Sequence, residues 1–296
     1  MAFTSTVFPH DMIAEVFTGA KGHSSIAKLC GMTPIPFSGT DEMVFSFDGE
    51  VNLVGEGGAK AKHTNSASSV KIVPRKIEYG ARVSDEFLRC SDEKRIDYLK
   101  AFNEGFEKKI ARGIDIMAFH GTNPKTGALA TQLIGSNSFD TNEDVTSVTY
   151  NGSAPEANIT SAVAAIGDYD FNGVAMSKTF AADLAALKVN GVPQYPELGW
   201  GAQVSSIKGV PVDINSTVSA VNGEYAYCGD FQNAFKWGYA DKINFEVIEY
   251  GNPDNDADAG DLKGHNQVYL RAEAWIGWAI LDGSAFARIE TASSGS

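Results

Sequence analysis

Met43-Val-Phe-Ser-Phe-Asp-Gly-Glu-Val-Asn-Leu53 puts Met43, Phe45, Phe47, Val51 and Leu53 on odd positions around Gly49, and Ser46, Asp48, Glu50 and Asn52 on even ones. This period-two alternation reads as a strand with one apolar face. Asp48-Gly49 resembles a two-residue turn, but folding there would set Phe47 against Glu50 and Phe45 against Asn52, mixing the faces. The strand is therefore expected to run on to Leu53 with a bulge at Gly49. A polar tip, Gly55 to Ser69, follows, and Val70 to Val83 returns as a second strand. The apolar phase of the return changes at Pro74, from Val70 and Ile72 to Ile77, Tyr79, Ala81 and Val83, as in an edge strand or a bulge. About twelve residues of strand reach about 40 Å, so the pair predicts a protruding hairpin that must find its cover elsewhere.

C-terminal to the hairpin, Ser91 reads as an N-cap before Asp92 and Glu93. Ile96, Leu99, Phe102, Phe106, Ile110, Ile114 and Met117 then recur at helical spacing. The pattern predicts one long helix over 92–119, stopped by Gly121. Its six acids (Asp92, Glu93, Asp97, Glu104, Glu107, Asp115) and six bases (Lys94, Arg95, Lys100, Lys108, Lys109, Arg112) are expected on a solvated face. Residues 150–230 alternate helix and strand signals. Pro155 opens a helix carrying Val163 and Ile166, and Ser177 caps one carrying Phe180, Leu184 and Leu187. Ile243–Ile248 and Val268–Ile280 read as strands around an acidic linker. Residues 1–40, broken by Gly19, Gly22, Gly31, Pro34, Pro36 and Gly39, read as an irregular arm.

Composition narrows the function. The chain has 296 residues, 43% of them hydrophobic and 21% charged, enough for a packed fold of one large or two modest domains. If compact it would expose about 12,000 Å². A net charge of −13 disfavours tight binding to polyphosphate or anionic lipid. The opening residues lack a basic, apolar leader, and no apolar run reaches the roughly 18 residues of a membrane span, so a soluble, non-secreted chain without membrane association is expected. Cys30, Cys90 and Cys228 read as reduced structural thiols. No phosphate-cradling loop, nucleophile turn or zinc helix is found, and His10, His23, His63, His120 and His265 are scattered. A catalytic triad would have to be assembled wholly by folding. Asp254, Asp256 and Asp258 alternate like the start of a calcium loop, but the expected glycine is displaced to 260 and His265 stands where a bidentate Glu is required. A solvated acidic loop is the expected reading; no cofactor is expected, and the three aspartates are the residual metal candidates.

One contrast of charge remains. Residues 60–76 hold five bases (Lys60, Lys62, Lys71, Arg75, Lys76) and no acid; residues 243–262 hold six acids (Glu246, Glu249, Asp254, Asp256, Asp258, Asp261) and no base. Complementary segments of this kind can steer identical subunits together, and separate solvation of the two accounts for the contrast equally well.

Taken in order, Val54-Gly-Glu-Gly-Gly-Ala-Lys60, Ala81-Arg-Val-Ser-Asp-Glu-Phe-Leu88, Gly121-Thr-Asn-Pro-Lys-Thr-Gly127, Lys208-Gly-Val-Pro-Val212, Gly229-Asp-Phe231 and Arg271-Ala-Glu-Ala-Trp-Ile-Gly-Trp-Ala-Ile-Leu-Asp-Gly-Ser-Ala-Phe286 resemble the major capsid proteins of tailed bacteriophages. The resemblance implies an α+β, Hong Kong 97-like capsid fold: an N-terminal arm (1–42), an extended β-hairpin loop (43–83), a peripheral domain (84–145 and 230–296) with a spine helix (92–119) and an acidic loop (251–265), and an axial α/β domain (146–229). It implies a non-enzymatic shell subunit located in the virion, and in the host cytoplasm during assembly. Its partners would be itself, as hexamers and pentamers, packaged DNA bound without sequence specificity, a portal, and a separate scaffold or decoration protein. Subunit contacts would involve Glu56, Lys60, Lys62, Lys71, Arg75, Lys76, Asp254, Asp256, Asp258 and Asp261. Some relatives crosslink subunits through a hairpin lysine, a loop asparagine and a glutamate base. Lys60, Asn266 and Glu273 would be those residues here, although Ala61 replaces the usual proline and no crosslink is expected. Two alternatives stand beside this reading: an encapsulin-type shell around protein cargo, and a soluble α/β hydrolase with a cleft gathering the histidines and carboxylates.

Overall fold

The computed structural model describes residues 23–47, 51–58, 62, 65–89, 92–241 and 243–292. A short helix, α1 (Ser25–Leu29), precedes the strands β1 (Thr40–Phe47), β2 (Asn65–Ile72) and β3 (Arg75–Ser84) and the long helix α2 (Asp92–His120). Next come β4 (Thr146–Thr149), α3 (Pro155–Ala165), β5 (Gly173–Met176), α4 (Lys178–Ala186) and a small hairpin, β6 (Lys188–Val189) and β7 (Val192–Pro193). The chain continues through β8 (Ser206–Ile207), β9 (Val210–Ile214), β10 (Ala226–Gly229), β11 (Phe235–Tyr239), β12 (Asn244–Ile248), β13 (Gln267–Ile280) and β14 (Phe286–Glu290).

β1 and β2 form a two-stranded antiparallel ribbon, from Thr40 opposite Ile72 to Phe47 opposite Asn65. The hairpin is therefore present, but its first strand stops at Phe47. Val51 and Leu53 lie outside any strand and are 96% and 98% exposed. The described ladder ends at the pair Phe47 and Asn65. Asp48-Gly49 lies outside the described residues. The phase change at Pro74 marks a change of sheet. β3 leaves the ribbon and pairs with β13, from Arg75 opposite Ile276 to Ser84 opposite Gln267. Proline, lacking an N–H, suits the break between the two ladders.

β13 is the centre of a four-stranded sheet, pairing also with β12 and β11. Residues 32–35 lie along β11, with Thr33 N donating to Trp237 O and Ile35 N to Tyr239 O. A Cβ on Gly238 would stand 1.7 Å from the Thr33 carbonyl oxygen, so only glycine admits this crossing. The described part of the expected arm is thus built into the body, and α1 buries Ile26 and Leu29.

α2 matches the predicted helix to within a residue, and Gly121 (φ +65°) ends it by donating its N–H to Met117 O. Its Ser91 cap lies outside the described residues. From Ile110 to His120 every residue except Arg112 is buried, whereas Ile96, assigned to the apolar stripe, is 42% exposed. Asp115, assigned to the solvated face, is completely buried. A second lobe is a six-stranded mixed sheet, ordered β4-β14-β10-β5-β9-β8, with α3 and α4 closing a core that includes Ile166, Val174, Phe180, Leu184 and Ile289. Ser177 caps α4 by accepting from Phe180 N, as predicted. Ile166 is buried as expected, whereas Val163 is 42% exposed and Ala162 faces the core in its place. β14 belongs to this sheet, so 146–229 borrows a strand from the C-terminal stretch expected in the other unit.

Candidate functional site

The ribbon meets the body only at its base. Ile72 is buried with Ile35 and Ala279, and Lys236 Nζ lies 2.7 Å from Glu42 Oε2. Beyond that, Met43 and Phe45 are 57% and 58% exposed. Met43 opposes Ser69 and Phe45 opposes Ala67, so these four residues share one ribbon face. An isolated two-stranded ribbon is marginal in water. This one extends its apolar side chains into solvent, the face the sequence left without cover. Glu56, Lys62 and Lys71 are exposed; Lys60 lies outside the described residues.

Part of the charge contrast is consumed within the chain. Lys76 Nζ stands 2.5 Å from Glu273 Oε1, and Arg271 pairs with Glu246 at 2.7 Å. Asp254 pairs with Arg82, a residue the sequence reading passed over. The Arg82 guanidinium donates to both Asp254 oxygens (2.8 and 2.5 Å), Asn252 Oδ1, Gln267 Oε1 and the carbonyls of Ala259 and Gly260. One planar donor fork therefore holds the acidic loop against β3 and β13. The hydrogen bond from Arg82 draws the Asp254 carboxyl down to about 2. Asp256 Oδ1 accepts from Asp258 N and Ala259 N, and Asp261 accepts from Gly251 N and Gly264 N. Asp254 and Asp256 thus hold the loop, and the three alternating aspartates are not gathered as a group of cation ligands. Among the described residues the only grouping of three or more metal-ligating side chains is His120, Asp140 and Glu224.

Arg82→Lys is expected to release this loop, because an ammonium cannot reproduce the bidentate, planar set. Hydrogen exchange of residues 251–262 should accelerate while global melting changes little; unchanged exchange would contradict the clamp. The sign of the pH dependence follows from Asp254. Its folded value lies below the unfolded one near 3.9, so the tether is whole above that value and is lost as pH falls through about 2.

Asn266 and Glu273 are seven residues apart, with Asn266 in the left-handed region (φ 53°) at the entry to β13. Seven strand residues span about 23 Å, so the two can meet only across subunits. Glu273 is already flanked by Lys76 and, at 3.4 Å, by Arg271.

Two polar centres lie in the interior. Asp115 accepts from Ser24 Oγ, Ser25 N, Ile26 N, Asn215 Nδ2 and Thr217 Oγ1. Burial nevertheless pushes its carboxyl up to about 6. A signal was present in Ile114-Asp-Ile-Met-Ala-Phe119: an acid in an apolar run near a helix C-terminus, where the dipole disfavours it. Five residues on, His120 meets Asp140, Glu224 and Tyr227, with its side chain fully buried. Nε2 is engaged by the Thr217 carbonyl, and among the described residues no serine or cysteine is recorded in hydrogen-bond contact with the imidazole. Burial raises the Cys30 thiol to about 12 and Cys228 beyond it, which leaves both unreactive. A cleft of about 510 Å³ between β3 and α2, floored by Phe106, Ile110 and Met117 and rimmed by Lys76, Lys109 and Lys125, contains no histidine or cysteine. No helix among the described residues is long and apolar enough to cross a membrane.

Comparison with known proteins agrees with this architecture. The profile of the phage capsid family matches residues 5–291. A solved structure from Mycobacterium phage Ogopogo superposes with TM-score 0.76 at 27% identity, covering 91% of this chain and 92% of that one. One from Gordonia phage Cozz gives TM-score 0.73 at 24% identity, covering 92% and 87%. The fold is also that of a structure described as the capsid of a native GTA particle, with TM-score 0.61 at 16% identity, covering 93% and 91%. No curated protein matches the chain.

Proposed function

This chain belongs to the phage capsid family and is a major capsid protein, and from that premise we propose that its subunits associate as hexamers and pentamers into an icosahedral head around double-stranded DNA, each laying its hairpin over a neighbour. The observation that carries this reading is the exposed face of Met43 and Phe45 on a ribbon the chain itself does not cover. The Hong Kong 97 division into arm, extended loop, peripheral and axial domains fits the two lobes. The role of the second polar element, the acidic loop, is to meet basic hairpin residues of another subunit. Lys62 and Lys71 on one side and Asp256 and Asp258 on the other are the exposed candidates, since Asp254 and Lys76 have intrachain partners. Exposed pairs contribute about 0–1 kcal/mol each, so the assembly should weaken with salt only through their sum. DNA is held without sequence reading, and a portal and a separate scaffold or decoration protein complete the particle.

Negative-stain microscopy of the purified chain tests the reading: shells or capsomers are expected, and a stable monomer at assembly concentrations would reject it. Nucleic acid inside the shells supports the phage branch; an enclosed enzyme would favour an encapsulin.

No intersubunit ligation is proposed. A lysine nucleophile needs desolvation and a free carboxylate to take its proton, and Glu273 is occupied by Lys76 and Arg271. Denaturing electrophoresis of mature particles should give one band near 31.6 kDa. A ladder that disappears on Lys60→Ala would show the opposite.

A further inference from the structure

His120 Nε2 faces the Thr217 carbonyl oxygen at 2.8 Å. A carbonyl only accepts, so this nitrogen carries the hydrogen, and in neutral imidazole Nδ1 then presents a lone pair. That lone pair points at Asp140 Oδ2, 2.8 Å away, with Glu224 Oε2 at 3.6 Å. Three electron-rich atoms thus converge in the interior, where Glu224 is 2% exposed and its Oε2 has no hydrogen-bond partner. A proton on Nδ1 would answer Asp140, and a second proton, on Glu224, would be needed to link it to Asp140. A single dication answers all three atoms without either.

We infer that His120, Asp140 and Glu224 form a binding site for one divalent cation of the zinc class, located where the end of α2 meets the 137–145 segment and the irregular segment leading into β10. One imidazole nitrogen and two carboxylate oxygens are a donor set suited to zinc, with a fourth position for water. Donors about 2.0–2.2 Å from a tetrahedral zinc stand about 3.3–3.5 Å apart, and the two spacings from Nδ1, 2.8 and 3.6 Å, bracket that separation. The surroundings have the form of an outer shell that orients ligands. The Thr217 carbonyl fixes the imidazole tautomer, Tyr227 OH donates to Asp140 Oδ1 at 2.6 Å, and Asn222 Nδ2 donates to Asp140 Oδ2 at 3.3 Å. Arg288 Nη1, donating to the carbonyls of Phe139 and Asp140, fixes the backbone that carries the aspartate. The ion would tie the spine helix to the axial lobe and set the angle between them.

The test uses the full-length chain, stripped with chelator, equilibrated with zinc chloride and freed of excess metal by gel filtration. About one zinc per chain is expected, together with a raised melting temperature; Glu224→Gln should weaken zinc binding at least about tenfold. Cobalt(II) added to the unaltered chain should show the intense visible d–d bands of a four-coordinate site, a readout independent of whether any variant folds. Background zinc content, a spectrum no different from aqueous cobalt, or Glu224→Gln binding zinc as tightly as the unaltered chain would each overturn the assignment. So would a melting temperature that responds to pH but not to zinc, since protons would then fill the gap.

Discussion

A chain in which residues 48–64 are replaced by a two-residue Asn-Gly turn between Phe47 and Asn65 is expected to fold as a subunit and to form no shells. Phe47 and Asn65 are the terminal pair of the ribbon, so a type I′ turn closes the ladder without disturbing its register. The described residues removed, 51–58 and 62, are all exposed, and a shorter loop costs less closure entropy. Subunit stability should therefore hold to within about 1 kcal/mol. Assembly should not survive, because the reach of the hairpin is what brings its apolar face onto a neighbour. Two point variants separate the roles. Phe45→Asp alters a half-exposed side chain and should impair assembly alone, since seating Phe45 against a partner contributes about 1.5–3 kcal/mol at every copy of the interface. Ile72→Ala empties a site only 1% exposed at the ribbon base and should cost the subunit itself about 2–5 kcal/mol. Normal particles from the shortened chain, counted by negative-stain microscopy, would sink the intersubunit role of the hairpin.

The elements that local pattern could report were legible. The long helix appears within a residue of its predicted bounds because six apolar side chains after Ile96 repeat at helical spacing, and the Ser177 cap because it is satisfied three residues away. What failed depended on distant partners. The break at Pro74 was visible, but that it marks a passage from the β2 ladder to β13 requires a strand about two hundred residues on. β14 was missed because five residues, Phe286–Glu290, carry too little alternation to stand out, yet they lie inside the six-stranded sheet between β4 and β10. Ile96 and Val163 show that membership of an apolar stripe does not fix burial at the solvent end of a helix. The site divides in the same way. The uncovered odd face of the hairpin was readable because alternation is local. The partner sets of Arg82, Asp115 and His120 were not, because they lie up to 185 positions away for Arg82 and 102 for Asp115.

Asp115→Ala is expected to be the most damaging single substitution to the subunit. The carboxylate joins three segments that share no sequence proximity: the entry to α1 through Ser24, Ser25 and Ile26, the helix α2 that carries it, and the 215–217 turn through Asn215 and Thr217. Alanine removes the common acceptor and leaves these donors buried. Each orphaned donor costs about 1–3 kcal/mol, and relaxation recovers part of the sum. A net loss of about 3–5 kcal/mol is expected, against a total stability of about 5–15 kcal/mol for a domain. Urea unfolding of the shortened-hairpin chain is the measurement, because it keeps shell formation from adding apparent stability. Asp115→Asn separates acceptor from charge. Burial raises the carboxyl to about 6 in the folded chain, above the unfolded value near 3.9, so the native state holds this proton more tightly. The stability linked to the group is therefore fully present below about pH 3.9 and is lost as pH rises through about 6. The asparagine variant, neutral throughout, lacks that decline, so the gap between the two proteins should narrow from pH 4 to pH 6. An alanine variant as stable as its parent would mean that α1 and the 215–217 turn are held by apolar packing alone, and a constant gap would mean that Asp115 stays ionised across the range.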